Sequence, residues 1–457
     1  MNEIYEVKCP KNINKDSLIE VVVPGSKSIT NRALLLAAMA NGTSTLKGCL
    51  TSEDAWHFIE CLKTLGFPVT ETSDGELGSD ITITGFGGNI PNKNAEIYVG
   101  SAGTAARFLA AMLAFSDGEY IITSSEQMKK RPMGPLIAAL RDAGSTVKCL
   151  EEEGHFPLHI IGAKKQTSIP NSFTVNIDKS SQFLSALLIA IGTLNMPAEI
   201  NVVGSHGLSY VDLTTEMMKD FGVITTKQVI DGQIKYIFNG EGVYHALNYT
   251  IEPDMSAAAY FYALAAVLNA KVTVKGVTNH MLQGDTAFLE VLEKMGCEIV
   301  GLNQNEVPQT DTQNFENIIL TGPNAPHLTG GFSIDMSSFS DQALTLAAIA
   351  PFADAPITIT GIGHIRLQEC DRIHAIVSNL SALGIKVDEK ENEVTIYPGI
   401  PNGCDIETYD DHRVAMSFAL TGLKIPGVRI LNPDCCKKTF TEYFEVLDRV
   451  LAALSLD

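Results

Sequence analysis

The sequence has few positive charges for its length, and this excludes several classes of partner. Its 33 lysines and arginines are outnumbered by 53 aspartates and glutamates, so the formal net charge is −20 at pH 7. Nucleic acids and anionic membrane surfaces repel a protein of this charge. The sequence also lacks both the ~20 apolar residues that a helix needs to cross a bilayer and the apolar core of a secretory signal peptide. We therefore expect a cytoplasmic protein that binds neither nucleic acid nor membrane.

Cysteine spacings typical of metal or redox sites are absent as well. None of the nine cysteines belongs to a C-x-x-C motif, and Cys435 and Cys436 are adjacent, unlike the cysteines of a disulfide framework. This pattern favours a reducing compartment and argues against a metal site. The polar segment 301–314 is predicted to form a hairpin or a loop.

What the sequence does contain is one kind of helix opening, used six times. In each case a polar or charged stretch leads into a segment rich in alanine and leucine. The openings recur at steps of 72 to 85 residues, marked by Arg32, Arg107, Gln182, Ser256, Asp341 and Arg413. Repeats of thin solenoids are about 20 to 50 residues long, so these longer repeats favour compact domains.

A second series of amphipathic helices alternates with the first, and each of these helices ends at a glycine. The glycines stand where a residue after a helix adopts positive φ: Gly66, Gly144, Gly222, Gly296 and Gly384. A residue predicted to begin or lie in the next strand follows each glycine: Val69, Val147, Val223, Ile299 and Val387. Each repeat is therefore predicted to be a βαβαββ unit of an α/β protein.

The length of 457 residues, with 45% hydrophobic residues, suggests more than one core, and six units divide naturally into two domains of three. The predicted helix Tyr443 to Leu454 has no strand after it, and the predicted strand Ile19 to Val23 has no helix before it. The simplest solution lets this N-terminal strand complete the last unit. Residues 24–252 would then form one domain, and residues 1–23 with 253–457 the other. Prolines at both crossings, Val23-Pro24 and Glu252-Pro253, favour extended connections.

The first helix opening has the composition of an anion site. Gly25 and Ser26 are turn and N-cap types, so the free N–H groups of the helix, Lys27, Ser28 and Arg32 are expected to face one spot. An ordinary capped helix with solvated charges is the alternative for this opening taken alone.

These segments, taken together, resemble one family of enzymes. The segments are Pro24 to Arg32, Gly100 to Arg107, Lys130-Arg131-Pro132, Ser180-Ser181-Gln182, Arg366 with Glu369, Asp371 and Arg372, Asp411-His412-Arg413, and Lys438-Thr439-Phe440. In this order, along nearly the whole chain, they resemble the 5-enolpyruvylshikimate-3-phosphate synthase family. The resemblance implies two α/β domains of pseudo-threefold symmetry, each of three βαβαββ units, joined by two crossovers and closing over substrate.

The resemblance also implies a reaction. The enolpyruvyl group of phosphoenolpyruvate passes to the 5-hydroxyl of shikimate 3-phosphate, and phosphate leaves, in a monomer that needs no metal or organic cofactor. Asp341 then corresponds to the base that takes the hydroxyl proton, Glu369 to the donor to the methylene carbon, and Lys27 to a second candidate acid. Read without the resemblance, Asp341 is typical of an N-cap and Glu369 of a solvated helix residue.

Substrate-binding residues are carried over in the same way. For shikimate 3-phosphate they are Lys27, Ser28, Arg32, Ser180, Ser181, Gln182, Tyr210 and Asp341. For phosphoenolpyruvate they are Lys27, Gly103, Arg131, Arg372, Arg413 and Lys438. Glycine at position 103 leaves room for a longer ligand, so the herbicide glyphosate is expected to compete with phosphoenolpyruvate.

The sequence departs from the family pattern at a few positions. His364 and Gln368 replace a familiar asparagine and lysine near the substrate, Phe108 replaces a proline, and either Ser205 or Ser209 could contact phosphate. We expect His364 to offset in part the charge lost at Gln368.

Three other interpretations stay open from the sequence. A sister enzyme that acts on a UDP-amino sugar has Lys-Asn at the first helix opening and a cysteine on a mobile loop, and residues 116–131 contain no cysteine here. A transferase for another cyclitol or sugar phosphate is the second. A non-catalytic anion-binding paralogue is the third, but it would have no need of Lys27, Asp341 and Glu369 together.

Overall fold

The computed structural model describes residues 4–73, 78–165, 169–301 and 317–456. Most of the segment 301–314, predicted to be a hairpin or a loop, lies outside these residues. Within them, no helix combines the length and the apolar character needed to cross a membrane.

Short strands alternate with helices along the chain. In chain order the described residues form the strands β1 (Ile4–Glu6), β2 (Leu18–Val21), β3 (Asn41–Cys49), β4 (Val69–Ser73), β5 (Ser79–Phe86), β6 (Asn94–Tyr98), β7 (Glu119–Thr123), β8 (Thr146–Cys149), β9 (Leu158–Ile161), β10 (Ser172–Asn176), β11 (Pro197–Val203), β12 (Thr226–Ile230), β13 (Gln233–Asn239), β14 (Asn248–Thr250), β15 (Lys271–Val274), β16 (Glu298–Val300), β17 (Ile319–Thr321), β18 (Phe332–Asp335), β19 (Ile357–Thr360), β20 (Val387–Glu389), β21 (Glu393–Ile396), β22 (Asp405–Ile406) and β23 (Arg429–Leu431).

The α-helices of the same residues are α1 (Lys27–Met39), α2 (Glu53–Thr64), α3 (Gly103–Ala114), α4 (Glu126–Lys129), α5 (Gly134–Asp142), α6 (Gln182–Ile191), α7 (Leu208–Asp220), α8 (Met255–Leu268), α9 (Ala287–Lys294), α10 (Ala343–Ile349), α11 (Arg372–Ala382), α12 (His412–Gly422) and α13 (Tyr443–Leu454). Four 3-10 turns position polar side chains discussed below: Gly284–Thr286, Ser340–Gln342, Gly363–Leu367 and Pro433–Lys438.

The strands of the described residues form six copies of one sheet. Five copies have four strands, in the orders β14-β3-β5-β4, β6-β7-β9-β8, β10-β11-β13-β12, β2-β15-β17-β16 and β18-β19-β21-β20, and the sixth has three, β22-β23-β1. The first two strands of every copy run parallel and the others antiparallel. This arrangement of βαβαββ units confirms the predicted α/β class.

One strand assignment predicted from the sequence is wrong. The segment predicted as Ile19 to Val23 forms β2, which pairs in parallel with β15 and opens the fourth unit instead of completing the last one. The last unit is completed by β1, which pairs antiparallel with β23. Both N-terminal strands have similar lengths, so only long-range pairing decides which one closes the last sheet.

The chain divides into two compact units. Unit 2 is Gly25–Ile251, and unit 1 combines Met1–Pro24 with Glu252–Asp457. The boundaries predicted from the sequence fall one residue from these. The core of unit 2 is formed by α1, α3 and α6, and that of unit 1 by α8, α10 and α12, which pack on one another within each unit. Nearly every residue of these six helices is buried, in keeping with their predominantly apolar composition.

The alternating outer helices end as the sequence predicts. Gly66, Gly144, Gly222, Gly296 and Gly384 all have φ between 82° and 101°. Residues other than glycine rarely adopt this backbone conformation, so the helices end at these glycines. Only the strand after Gly222 is displaced, because β12 begins at Thr226 and Val223 precedes it.

Candidate active site

In unit 2, the start of α1 carries the first predicted cation. The Ser26 hydroxyl accepts from the Ile29 N–H at 3.5 Å, which confirms the predicted N-cap. Lys27 Nζ lies 2.6 Å from Asp54 Oδ2, a buried carboxylate in the first turn of α2. The sequence did not single out Asp54, because an acidic residue in the first turn of a helix is common for stability alone.

Arg32 is buried inside unit 2, with only 2% of its surface exposed. Its guanidinium donates to Thr214 Oγ1 at 2.7 Å, to Ser185 Oγ at 3.3 Å, and to the backbone oxygens of Ser28 and Tyr210. Phe108 lies under the guanidinium, 5.5 Å from ring centroid to Cζ. Burial lowers the pKa of Arg32 to about 10. These partners hold Arg32, a predicted ligand of shikimate 3-phosphate, in the protein interior, and its contact with substrate stays a prediction.

A second group of cations gathers around Gly103, the first residue of α3. Arg107 Nη1 donates to the Gly103 oxygen at 3.1 Å and to Gln182 Oε1 at 2.7 Å. A β-carbon on Gly103 would clash with Arg131 Nη1 and would lie 2.8 Å from Arg107 Nη1. Burial, and then the charge of Arg131, lower the pKa of Arg107 well below its ordinary value. The structure thus brings together Gly103, Arg131 and Gln182 and adds Arg107, which the sequence analysis marked as a repeat position and as part of a family segment but not as a site residue.

The third group in unit 2 lies where α6 and α7 begin. Ser180 Oγ accepts from the Gln182 N–H at 3.3 Å, and Ser181 occupies the N-cap position without a side-chain cap bond. A β-carbon on Gly207 would lie 2.7 Å from Ser181 Oγ, so the openings of the two helices are close together. Tyr210 is half-buried in the first turn of α7. Of the two candidate serines, Ser209 lies in α7, while Ser205 lies before it and is exposed.

In unit 1, Asp341 lies between two arginines. Its Oδ1 is 3.1 Å from Arg372 Nη1, and its Oδ2 is 2.8 Å from Arg413 Nη2. Asp341 is in the middle of the 3-10 turn Ser340–Gln342 that precedes α10, where Phe339 is the N-cap. The interpretation of Asp341 as an N-cap is therefore wrong, because Gln342 occupies the N-cap position of α10 and the Asp341 carboxylate pairs with two arginines.

Arg372 is the most enclosed cation of this group, with 2% of its side chain exposed. Its Nε lies 2.8 Å from Asp411 Oδ2, and Gln368 Oε1 also accepts from its Nη1. Burial opposes the charge, but Asp411 and Asp341 outweigh it and raise the pKa of Arg372. Asp371, the residue before Arg372 in the chain, pairs with Arg366 and caps α11.

Glu369 is enclosed as well, since only 9% of its side chain is exposed. Its Oε2 lies 3.0 Å from His412 Nδ1, and its Oε1 lies 3.4 Å from Lys438 Nζ. Burial lowers the pKa of His412, and the Glu369 carboxylate opposes that shift. The interpretation of Glu369 as a solvated residue is wrong, and the sequence gave His412 no role although it noted the motif Asp411-His412-Arg413.

One cluster among the described residues has the spacing of a metal site. The ligand atoms of Glu369, Asp411 and His412 lie within 4.8 Å of one another. Arg372 and Lys438 already pair with the two carboxylates and would compete with a metal ion. The residues therefore suit proton transfer better than metal binding.

The two positions that depart from the family pattern lie beside this group. His364 Nε2 is 2.8 Å from Ser340 Oγ, next to Asp341 in the chain. Gln368 contacts Arg372. Both side chains thus contact neighbours of the predicted base.

Comparison with known proteins identifies the family. The model of the family described as EPSP synthase (3-phosphoshikimate 1-carboxyvinyltransferase) matches residues 12–447. A Nostoc punctiforme protein named 3-phosphoshikimate 1-carboxyvinyltransferase is 42% identical over 433 residues, covering 94% of this chain and 96% of that protein. A Halalkalibacterium halodurans protein named 3-phosphoshikimate 1-carboxyvinyltransferase 2 is 42% identical over 436 residues, and the match covers 94% of this chain and 91% of that protein.

A solved structure shares the fold. The EPSP synthase from Acinetobacter baumannii superposes with a TM-score of 0.78 at 23% identity and covers 98% of both chains. The family model and the relatives in sequence together cover nearly the whole chain. This chain belongs to the EPSP synthase family.

Proposed function

We propose that this protein transfers the enolpyruvyl group of phosphoenolpyruvate to the 5-hydroxyl of shikimate 3-phosphate and releases phosphate. The observation that carries the proposal is the 42% identity, over 94% of the chain, to a protein named for this transfer. The presence of Asp341, Glu369 and Lys27 supports catalysis over binding alone, since a protein that only binds anions needs no acid and base.

In the proposed first step, Asp341 takes the proton of the 5-hydroxyl group, and the hydroxyl oxygen forms a bond to C2 of phosphoenolpyruvate. Glu369 gives a proton to the methylene carbon, which becomes a methyl group, and a tetrahedral ketal results. In the second step the methyl group returns its proton to Glu369 and the bond from C2 to the phosphate oxygen breaks. The phosphate leaves with the proton that Asp341 had taken, so both carboxyl groups return to their starting states. One carboxyl group must therefore start ionised and the other protonated.

The contacts of Glu369 support its role as the donor. His412 and Lys438 both lie within 3.4 Å of its oxygens, so proton-bearing groups are adjacent when the carboxyl group has given up its proton. Lys27, paired with Asp54, stays the second candidate acid.

Both substrates carry a phosphate and a carboxylate, and the binding residues supply matching donors. We assign shikimate 3-phosphate to Lys27, Ser28, Arg32, Ser180, Ser181, Gln182, Tyr210 and Asp341. We assign phosphoenolpyruvate to Lys27, Gly103, Arg131, Arg372, Arg413 and Lys438. Arginines bind such groups through two parallel hydrogen bonds, and the openings of helices add N–H donors.

His364 and Gln368 are proposed to adjust the fit of shikimate 3-phosphate. Gln368 offers a neutral amide where an ammonium group is familiar, and His364 contacts Ser340 beside the base. We further propose a cytoplasmic monomer that uses no cofactor and is inhibited by glyphosate.

Phosphate release tests the proposal directly. The purified protein is incubated with phosphoenolpyruvate plus shikimate 3-phosphate, and in parallel with phosphoenolpyruvate plus UDP-N-acetylglucosamine. Release with the first pair alone is expected. Release with the UDP-sugar alone would assign the protein to the sister activity, and release with neither would contradict both.

A further inference from the structure

A carboxylate that the proposed reaction does not use is buried beside the base. Asp285 lies in the 3-10 turn Gly284–Thr286, before α9, with 3% of its surface exposed. Its Oδ1 accepts from Gln342 Nε2 at 3.1 Å, and Gln342 is fully buried. Carboxylates are rarely buried this deeply unless they are paired or hydrogen-bonded, so this contact needs an explanation.

Gln342 connects Asp285 to the turn that carries the base. It is the residue after Asp341 and the last residue of the turn Ser340–Gln342. Its side-chain oxygen accepts from Thr345 Oγ1 at 3.1 Å, and that hydroxyl lies 3.4 Å from Ser417 Oγ on α12. The amide is thus held at both ends, which leaves the turn little freedom to rotate.

The Asp285 turn is itself anchored to the start of α8. Gln283 Oε1 accepts from the Met255 N–H at 3.0 Å, and Gln283 Nε2 donates to the Pro253 oxygen at 2.8 Å. The backbone from Gln283 to Asp285, together with the hydrogen bonds at its two ends, therefore links the opening of α8 to Gln342 and α10.

Charge supports the same connection. Burial, and then the Asp341 carboxylate, raise the pKa of Asp285 to about 6, while Arg413 opposes the shift. Asp285 thus interacts with both Asp341 and the arginine that binds it.

We propose that Asp285 is a positioning residue that acts through the Gln342 side chain to hold the Asp341 carboxylate between Arg372 and Arg413. The inference rests on the proposed function, because it assigns Asp341 the proton of the 5-hydroxyl. A misplacement of about 1 Å can lower catalysis by about a hundredfold, so a lost anchor should affect turnover more than substrate binding.

The variant Asp285→Ala removes the acceptor. We expect its kcat to fall at least tenfold, with both KM values within about threefold of the wild type. Asp285→Asn keeps an oxygen that can accept from Gln342, so it should recover most of the lost kcat. Gln342→Ala should match Asp285→Ala, and the double variant should be no worse than either single one, because residues that act as one unit are not additive.

Glu252→Gln is the matched control. The Glu252 carboxylate accepts from the Leu282 N–H at 3.1 Å and from Gln283 Nε2 at 3.2 Å, so it holds the same segment without contacting Gln342. Its kcat should stay within about twofold of the wild type. Circular dichroism and thermal unfolding establish that each variant is folded, and Gln342→Ala carries the test if Asp285→Ala does not fold.

Several results would overturn the inference. These are an unchanged kcat in Asp285→Ala or Gln342→Ala, additive losses in the double variant, no recovery in Asp285→Asn, or an equal loss in Glu252→Gln. A wild-type protein that is inactive with phosphoenolpyruvate and shikimate 3-phosphate would instead refute the proposed function.

Discussion

The candidate residues of the two units differ in how their positive charges are balanced. The unit 2 cation set consists of Lys27, Arg32, Arg107 and Arg131. The unit 1 ion-pair set consists of Asp341, Glu369, Arg372, Asp411, Arg413 and Lys438. In the second set three carboxylates pair with three cations. In the first set Lys27 pairs with Asp54, while Arg32 and Arg107 donate to neutral oxygens.

The pKa values of the buried arginines differ between the two units in the same way. Burial lowers the pKa of Arg32 and Arg107, and the hydrogen bonds given for both go to neutral oxygens. Arg107 Nε has no hydrogen-bond partner among the described residues. In unit 1 the paired carboxylates raise the pKa of Arg372 instead. A bound anion would therefore stabilise the charges of Arg32 and Arg107, whereas the charge of Arg372 is already stabilised by its carboxylate partners.

The largest expected effect comes from unbalancing the ion-pair set. Asp341→Ala leaves Arg372 and Arg413 without the carboxylate between them and removes the proposed base. We expect kcat to fall by roughly a hundredfold or more, the usual scale of general base catalysis. Steady-state phosphate release measures it, with Asp388→Asn on the exposed strand β20 as the control. Turnover near the wild-type value would remove Asp341 from the mechanism.

Glu369→Gln tests the acid of the same set. The amide keeps the shape of the side chain but has no proton to give, so exchange of solvent deuterium into the methylene of phosphoenolpyruvate should slow by roughly a hundredfold. Mass spectrometry of recovered phosphoenolpyruvate measures the exchange. If the rate is unchanged, Lys27 is the better candidate for the donor.

Removing a cation from unit 2 should act on binding instead of turnover. Arg131→Gln loses charge-assisted hydrogen bonds, worth about 1.5 to 3 kcal/mol, so the KM for phosphoenolpyruvate should rise roughly tenfold to a hundredfold. The loss of kcat should be smaller. Arg141→Gln, a partly exposed arginine of α5 that pairs with Glu153, serves as the control. If Arg131→Gln lowered kcat and left the KM for phosphoenolpyruvate unchanged, the proposed difference between binding in the unit 2 cation set and turnover in the unit 1 ion-pair set would be contradicted.

Gly103→Ala should have a smaller and more selective effect. The backbone of Gly103 is outside the left-handed region, so alanine is not strained there, but its β-carbon would displace Arg131 and Arg107. The inhibition constant of glyphosate, which joins a phosphonate and a carboxylate through an amine, should rise several-fold more than the KM for phosphoenolpyruvate. Competition assays at saturating shikimate 3-phosphate measure both constants. Equal changes would mean that Gly103 does not distinguish ligands by length.

The smallest effect concerns stability and pH. The pKa of Asp285 is raised by burial from 3.8 to about 6, so between these values the folded protein binds more protons than the unfolded chain. This group therefore lowers the free energy of unfolding as pH rises from about 4 to 6. Asp285→Asn should gain stability relative to the wild type between pH 4.5 and 7, on the order of 1 to 3 kcal/mol. Thermal unfolding at pH 4.5 and at pH 7 measures the difference in stability between Asp285→Asn and the wild type. A difference that is smaller at pH 7 than at pH 4.5 would contradict the prediction.

Local patterns in the sequence were enough to predict the helices. N-cap residues followed by apolar runs marked Lys27 and Gln182 as helix openings, and glycines such as Gly66 marked helix ends. Each signal lies within a few residues of the feature it specifies. The same locality explains why an α/β repeat could be predicted without any knowledge of tertiary contacts.

The features that the sequence missed depend on residues far apart in the chain. Nothing near Asp285 indicates that Gln342 is its partner, and nothing near Lys27 indicates Asp54. The prediction that β2, and not β1, completes the last unit was wrong for the same reason, because similar strands in a repeat differ only in their distant partners. The substrate contacts of the site residues stay predictions.

The pairing of β1 with β23 also has a consequence for synthesis on the ribosome. β1 ends at Glu6 and its partner begins at Arg429, so an early strand must wait for one of the last segments to emerge. All strands of the three sheets of unit 2 lie between residues 41 and 250, and this unit can therefore fold while the rest is being translated. A nascent chain whose residues up to Ile251 have left the ribosomal exit tunnel should already protect unit 2 from protease, whereas β1 becomes protected only when translation is nearly complete.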